Sequence, residues 1–308
     1  MFTNVARPVT IALTAMLAIA PLSALRAQGV VRQVGDDVKH VAEDVWRIWS
    51  SPVRGSGRDW LTAGLVVAGA AAISPLDDDV DRWAVRDSAS AAFDALKPFR
   101  RGGVFFKGAS VVPAAAAVLV AGYATNNQDL RDAIWGCGAS AVSNSVARNQ
   151  VLYRIIRRTR PDSSKDNPPV SPPAQQGDQY DIGLGPDSWG EKSLPGGHIA
   201  NITACASFLA ERFHLGVAEP ALYAIVAAVG VGRIADRAHW TSDQLLGAAF
   251  GYAIGREIAL RQNKRREAAR RDARAPAAAP AAPRGAGDGL FVTQGPRGLV
   301  HLGWQKSF

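Results

Sequence analysis

Two cysteines, Cys137 and Cys205, are all that the 308-residue sequence contains, too few for a disulfide-stapled scaffold. Both lie among small residues in segments that read as helix. They fit two buried thiols better than a bridge, with a disulfide left open in an oxidising compartment. Histidine is nearly as scarce, five in all, and no cysteine or histidine spacing matches a metal site, so no metal is expected. No alternating strand pattern occurs before the C-terminus. No nucleic-acid-binding motif accompanies the net charge of +8. A membrane span needs ~20 mostly apolar residues, and three of the apolar segments fit that poorly. Leu61 to Leu76 is short, Ala133 to Val151 contains Asn144, Arg148 and Asn149, and Ile199 to Phe213 contains Asn201, Glu211 and Arg212.

Apolar residues are plentiful, 47% of the chain, enough for one domain with a full core. Val38, Val41, Val45 and Ile48 recur at helical spacing between Asp36 and Ser50. Six Ala/Leu/Val-rich segments follow: 61–76, 109–124, 133–151, 199–213, 218–234 and 244–260. Their length and their Pro, Gly and Asp boundaries predict helices. Residues 1–27 read as an export signal, with Arg7 before an apolar stretch and small residues at Ala24 and Ala27; an uncleaved anchor is the alternative. Residues 28–260 form the expected helical domain, 261–286 a basic and Pro/Ala-rich linker, and 287–308 a hairpin around Gly-Pro-Arg-Gly. From Arg256 to Arg274 eight basic and three acidic residues give a net +5, suited to a solvated helix or to anionic head groups. Residues 162–194 lack helical period and read as a cover over a site or as a surface linker.

The chemistry is concentrated in three blocks: Tyr153 to Pro161 (YRIIRRTRP), Pro195 to His198 (PGGH) and Arg233 to Asp243 (RIADRAHWTSD). Together they hold cations, a glycine-flanked histidine and a His/Asp pair, which is equipment for holding a phosphate and attacking it. In order and spacing they resemble the signature of the type 2 phosphatidic acid phosphatase (PAP2) superfamily, which also contains vanadium haloperoxidases: Lys-x6-Arg-Pro, Pro-Ser-Gly-His and Ser-Arg-x5-His-x3-Asp. This chain departs from it at three places, with Tyr153 for the lysine, Gly196 for the first serine and Gly232 for the second.

The resemblance implies an all-α, six-helix PAP2-type bundle, here with a small C-terminal β-hairpin, and a phosphatase that needs neither metal nor cofactor. His239 is the implied nucleophile, His198 the acid and then base, and Asp243 the partner that orients His239. Arg160, Arg233 and the Gly197 amide are the implied phosphate ligands. On a helix, positions 153, 157 and 160 share one face, which makes Arg157 the candidate to replace the missing ammonium beside Tyr153. The Gly196 and Gly197 amides are expected at a helix N-terminus, where anions are favoured. Thr241 to Gln244 fits a capping box that starts the last helix near Ser242. The expected substrate is a lipid phosphate or small organic phosphate, with a membrane surface as partner and neither nucleic acid nor a protein partner. Alternatives are a non-catalytic envelope protein that binds phosphorylated lipid, and a vanadium haloperoxidase. Export points to a periplasmic protein, soluble or peripherally attached. The basic run after Leu260 supports the alternative, an integral inner-membrane protein with its site facing the periplasm.

Overall fold

Helical periodicity in the sequence becomes helix throughout a computed structural model that describes residues 24–87, 89–100, 108–162, 177–185, 191–274, 289–294 and 300–305. The chain forms two compact units, Met1–Arg261 and Gln262–Phe308. Residues 1–23 of the expected export signal lie outside the described residues.

In the first unit, α1 (Ala24–Trp49) is part of the core and not merely a leader to it. Its Val41 and Ile48 pack against a buried cluster of Ala139, Phe208, Ile254, Ile258 and Ala259, and its Asp44 accepts a 2.7 Å hydrogen bond from Arg261 Nε. Ser56 opens α2 (Gly57–Ile73) through a reciprocal capping box with Asp59. A turn at Ser74–Leu76 leads into α3 (Asp77–Arg86), with three aspartates in its first turn where the helix dipole favours them. α4 (Ala91–Ala95) and α5 (Gly108–Ala124) follow.

α6 (Gln128–Val146) is capped by Asn127, whose Oδ1 accepts from the Leu130 amide. It continues into a π-helical turn, Ala147–Leu152, a short α7 (Tyr153–Ile155) and strand β1 (Ile156–Arg158). β1 pairs antiparallel with β2 (Ile182–Leu184), Arg157 opposite Gly183. α8 (Gly197–Phe213), α9 (Glu219–Ala235) and α10 (Thr241–Arg274) complete the bundle. In the second unit β3 (Gly289–Gln294) pairs antiparallel with β4 (Val300–Gln305), the hairpin that the sequence pattern predicts.

Small residues set the packing of α8. A Cβ on Gly136 of α6 would lie 1.9 Å from the Phe208 ring, so the phenyl group fills the notch that glycine leaves. On α10, Gly247, Gly251 and Gly255 recur every fourth residue, and a Cβ on each would lie 2.4, 2.1 and 1.9 Å from the carbonyl oxygens of Gly196, Ala200 and Ala204. The two helices therefore meet backbone to backbone, and their N-termini are locked together.

Three expectations are corrected. The fold is all-α with a small hairpin, but among the described residues α3, α4 and α7 add to the six expected helices, and α1 joins the core. The segment 162–194 is not structureless, since it contributes β2. Cys137 and Cys205 form a disulfide, Cα atoms 4.5 Å apart, that ties α6 to α8. The sequence alone favours free thiols because neither neighbourhood reveals that the two helices bring their small-residue faces together.

Candidate active site

The first block leaves its helix earlier than its sequence pattern predicts. Helical geometry stops at Ile155, and residues 156–158 are extended. Successive side chains then alternate in direction, so Tyr153, Arg157 and Arg160 do not share a helical stripe. Arg157 turns to Asp181 at 3.4 Å and Glu191 at 3.6 Å, a half-buried ion-pair cluster. Arg158, passed over in the sequence reading, points inward and is 3% exposed. Its guanidinium donates to Asp77 Oδ2 at 2.7 Å, Asp243 Oδ1 at 2.6 Å, Ser242 Oγ at 2.7 Å and the Gln179 carbonyl at 3.0 Å. Arg160 is also buried and donates to the carbonyls of Ala238 at 2.7 Å and Lys192 at 2.9 Å.

His239 is the centre of the arrangement. Its buried ring bonds through Nδ1 to the Ser193 carbonyl at 2.7 Å. A carbonyl only accepts, so Nδ1 carries the proton and Nε2 keeps its lone pair. Burial holds the imidazole well below its ordinary pKa, and the nearby charges of Arg160, Arg233 and His198 push it further the same way. The Ser193 carbonyl opposes them. His239 is thus a neutral imidazole among cations, with His198 near enough to affect its charge.

The hydrogen bond expected from His239 to Asp243 goes instead to the Ser193 carbonyl, a correction to the expected pair. The Asp243 carboxylate accepts from Arg158, from Ser193 Oγ and from the Trp240 amide at 3.0 Å. α10 starts at Thr241 with Trp240 in the cap position, so Asp243 folds back on the cap amide as a capping-box acid does. The other half of the cap comes from α3: Asp77 Oδ1 accepts from the Ser242 amide at 2.9 Å. Burial pushes the Asp243 carboxyl above the ordinary range, against the pull of Arg158, Ser193 and Trp240.

α3 anchors the histidine loop a second time. Asp81, one helical turn beyond Asp77, takes a bidentate pair of bonds from Arg237, Nε to Oδ1 at 2.9 Å and Nη2 to Oδ2 at 2.8 Å. Arg237 sits two residues before His239 and has a left-handed backbone, φ 52°, a strained conformation that this clamp helps to hold. Asp77 and Asp81 lie far from the three blocks in sequence. Their only signal is the i, i+4 placement of carboxylates at a helix start, which by itself also fits a solvated cap.

The remaining residues close the site. Arg233, buried at the end of α9, donates to Asp236 at 3.0 Å. A Cβ on Gly232 would lie 2.7 Å from the Phe99 carbonyl oxygen, so the family's serine does not fit here without a backbone shift. Tyr153 is 5% exposed and donates its hydroxyl to the Pro195 carbonyl at 3.0 Å, bracing the Pro-Gly-Gly turn. Burial raises its pKa, so the hydroxyl stays protonated and supplies no charge. Gly196 caps α8, and its amide is taken by the Asp243 carbonyl at 2.9 Å. That leaves Gly197, and not Gly196, to offer an amide from the first turn. His198 lies on the exposed side of that turn. The described parts of 177–194 form a wall of the site: Ser193 holds His239, Lys192 holds Arg160 and Gln179 holds Arg158.

Over 84 residues the chain is 39% identical to a lipid A 1-phosphatase of Porphyromonas gingivalis; the match covers 25% of this chain and 18% of that protein. The chain thus spans less than a fifth of the length of the curated relative it matches. Among solved structures, the first transmembrane PAP2 type phosphatidylglycerolphosphate phosphatase from Bacillus subtilis aligns at 19% identity and a TM-score of 0.43, over 67% of this chain and 94% of that one. The PAP2 superfamily profile matches residues 133–267, less than half of the chain, a range that contains all three blocks and the His239, Arg160 and Arg233 cluster just described.

Proposed function

We propose that this chain is a lipid phosphatase that hydrolyses phosphate monoesters or diphosphates through a phosphohistidine on His239. The observation that carries the reading is the state of that ring: neutral, anchored through Nδ1 on Ser193, and flanked by Arg160, Arg233 and His198. In the first step Nε2 attacks phosphorus as the ester P–O bond breaks, and His198 gives a proton to the departing oxygen. In the second, water attacks phosphorus, its proton passes to His198, and the N–P bond breaks to release phosphate. Arg160, Arg233 and the Gly197 amide stabilise charge on the equatorial oxygens. Asp243 acts through Ser193 and the Trp240 amide, as a positioning residue.

A lipid substrate is supported by two observations. The matched relative is named a lipid A 1-phosphatase. In addition, two helical stretches, Gly57–Arg86 and Gly216–Ala235, are long and apolar enough to cross a membrane, and α2 exposes more than half of each of Trp60, Leu61, Leu65 and Val67. We place the protein in a membrane, which revises the soluble or peripheral placement expected from sequence. The Cys137–Cys205 bond supports export, since disulfides persist in oxidising compartments. The test is phosphate release by the full chain in detergent micelles from lipid A, phosphatidate and p-nitrophenyl phosphate, with His239→Ala and His198→Ala in parallel. Turnover favouring a lipid phosphate, lost in His239→Ala, is the expected result. Equal turnover by His239→Ala removes the mechanism, and binding of phosphorylated lipid without turnover by the wild-type chain removes the enzyme.

A further inference from the structure

With Tyr153 in place of the family's lysine, the phosphate cradle lacks one cation, and Arg157 does not supply it because its guanidinium faces Asp181 and Glu191. We propose that Arg148, carried by the π-helical turn before Tyr153, supplies that cation and binds the substrate phosphate beside Gly197. The inference rests on the phosphatase reading above.

The wide turn makes the placement possible. Five residues apart on an α-helix, Arg148 and Tyr153 would lie about 140° apart around the axis. In the π-helical turn the Tyr153 amide bonds back to the Arg148 carbonyl, five residues earlier, which stacks the two residues on one side. The Arg148 guanidinium carbon then lies 5.5 Å from the Tyr153 ring centroid. The tyrosine is thus a platform under the guanidinium, and its hydroxyl holds Pro195 in the next block.

Gly197 admits the cation. A Cβ at this position would lie 1.8 Å from Arg148 Nη1, 2.4 Å from Cζ and 3.0 Å from Nε. The Nη1 side of the guanidinium therefore rests against the Gly197 backbone, where the phosphate is to sit. Among the described residues no carboxylate pairs with Arg148; its Nε reaches Asn149 Oδ1 at 3.3 Å. Arg158, Arg233 and Arg237 are by contrast each held by aspartate. A half-buried guanidinium placed against the positive end of α8, with no acid beside it, is stabilised by an anion. Tyr153 and Arg148 together replace one lysine, the first as support and the second as charge.

The test uses the full chain and two readouts: phosphate release from a lipid phosphate, and binding of inorganic phosphate and orthovanadate by calorimetry. Arg148→Ala is expected to weaken anion binding and kcat/KM by about tenfold to a hundredfold, the value of a charged hydrogen bond. Arg148→Lys is expected to recover part of both, and Arg148→Gln serves if the alanine variant does not fold. Anion binding that is unchanged in Arg148→Ala or Arg148→Gln overturns the proposal, whatever the activity. If the wild-type chain shows no turnover but its phosphate binding depends on Arg148, the phosphatase reading fails and the proposal stands.

Discussion

His239 and Asp243 are joined through Ser193 and not to each other: the imidazole donates Nδ1–H to the Ser193 carbonyl at 2.7 Å, and the same residue's hydroxyl donates to the Asp243 carboxylate. Burial is the larger influence on the imidazole, and the positive charges of Arg160 and Arg233 add to it. Both act to hold His239 neutral.

That relationship fixes a pH dependence. The proposed nucleophile is already deprotonated at the ordinary histidine pKa of 6.5, so the acid limb of kcat/KM that belongs to His239 is expected well below pH 6.5. Stability follows the same sign. The unfolded ring binds a proton that the folded ring refuses, so the contribution is full above pH 6.5 and is lost as pH falls toward the depressed folded value. A pH–rate profile on a soluble ester, with unfolding followed across the same range, checks both. An acid limb at pH 6.5 or above that is traced to His239 would contradict the electrostatic account.

Arg158 is expected to matter for stability more than any other cation of the first block. Its removal leaves Asp77 and Asp243, 1% and 0% exposed, without their shared cation. Breaking a buried pair by deleting one partner costs about 3–5 kcal/mol. Arg158→Ala should lose stability on that scale, and activity with it, because Asp243 and Ser193 position His239. Denaturant unfolding of wild type and variant makes the comparison, and a loss below about 1 kcal/mol, the scale of an exposed pair, contradicts the network.

The long apolar helices and the three blocks were legible because each rests on a local signal: period, cap or fixed spacing. Of the residues the blocks name, Arg160, Arg233 and His198 all act electrostatically on His239. What was not legible depends on pairings distant in sequence. Asp77 and Asp81 reach the histidine loop across more than 150 residues, and Cys137 meets Cys205 across 68. The switch from Arg157 to Arg158 has a different origin. The sequence continues a helical pattern through Arg160, but pairing with β2 pulls residues 156–158 into a strand and reverses which arginine faces inward. Arg148 stayed hidden for a similar reason, since a π-helical turn shifts the face by an amount that no α-helical count reproduces.

Arg157 tests that reversal directly. Because its guanidinium engages Asp181 and Glu191 in a half-buried setting, Arg157→Ala is expected to keep kcat/KM within a few-fold of wild type and to cost little stability, as partly exposed ion pairs are worth about 1 kcal/mol or less. Steady-state kinetics on one lipid phosphate suffice. A loss of a hundredfold or more would return Arg157 to the phosphate cradle and restore the helical stripe.

Two glycine substitutions separate helix propensity from helix contact. A methyl group on Gly251 would lie 2.1 Å from the Ala200 carbonyl oxygen, and backbone does not move aside as a flexible side chain does. Gly251→Ala must therefore push α10 from α8, at a cost of about 1–3 kcal/mol. The displacement reaches the site, since α8 begins at Gly197 beside His198 and α10 begins beside Ser242 and Asp243. Activity should fall with stability. Gly138 of α6 has nothing within 4 Å of the position a Cβ would take. Gly138→Ala should leave kcat/KM unchanged and stabilise the helix by about 0.5–1 kcal/mol through the lower backbone entropy of the unfolded alanine chain. Thermal unfolding and phosphate release on both variants decide the matter. Equal behaviour of the two variants would mean that the close approach of α8 and α10 does not hold the site together.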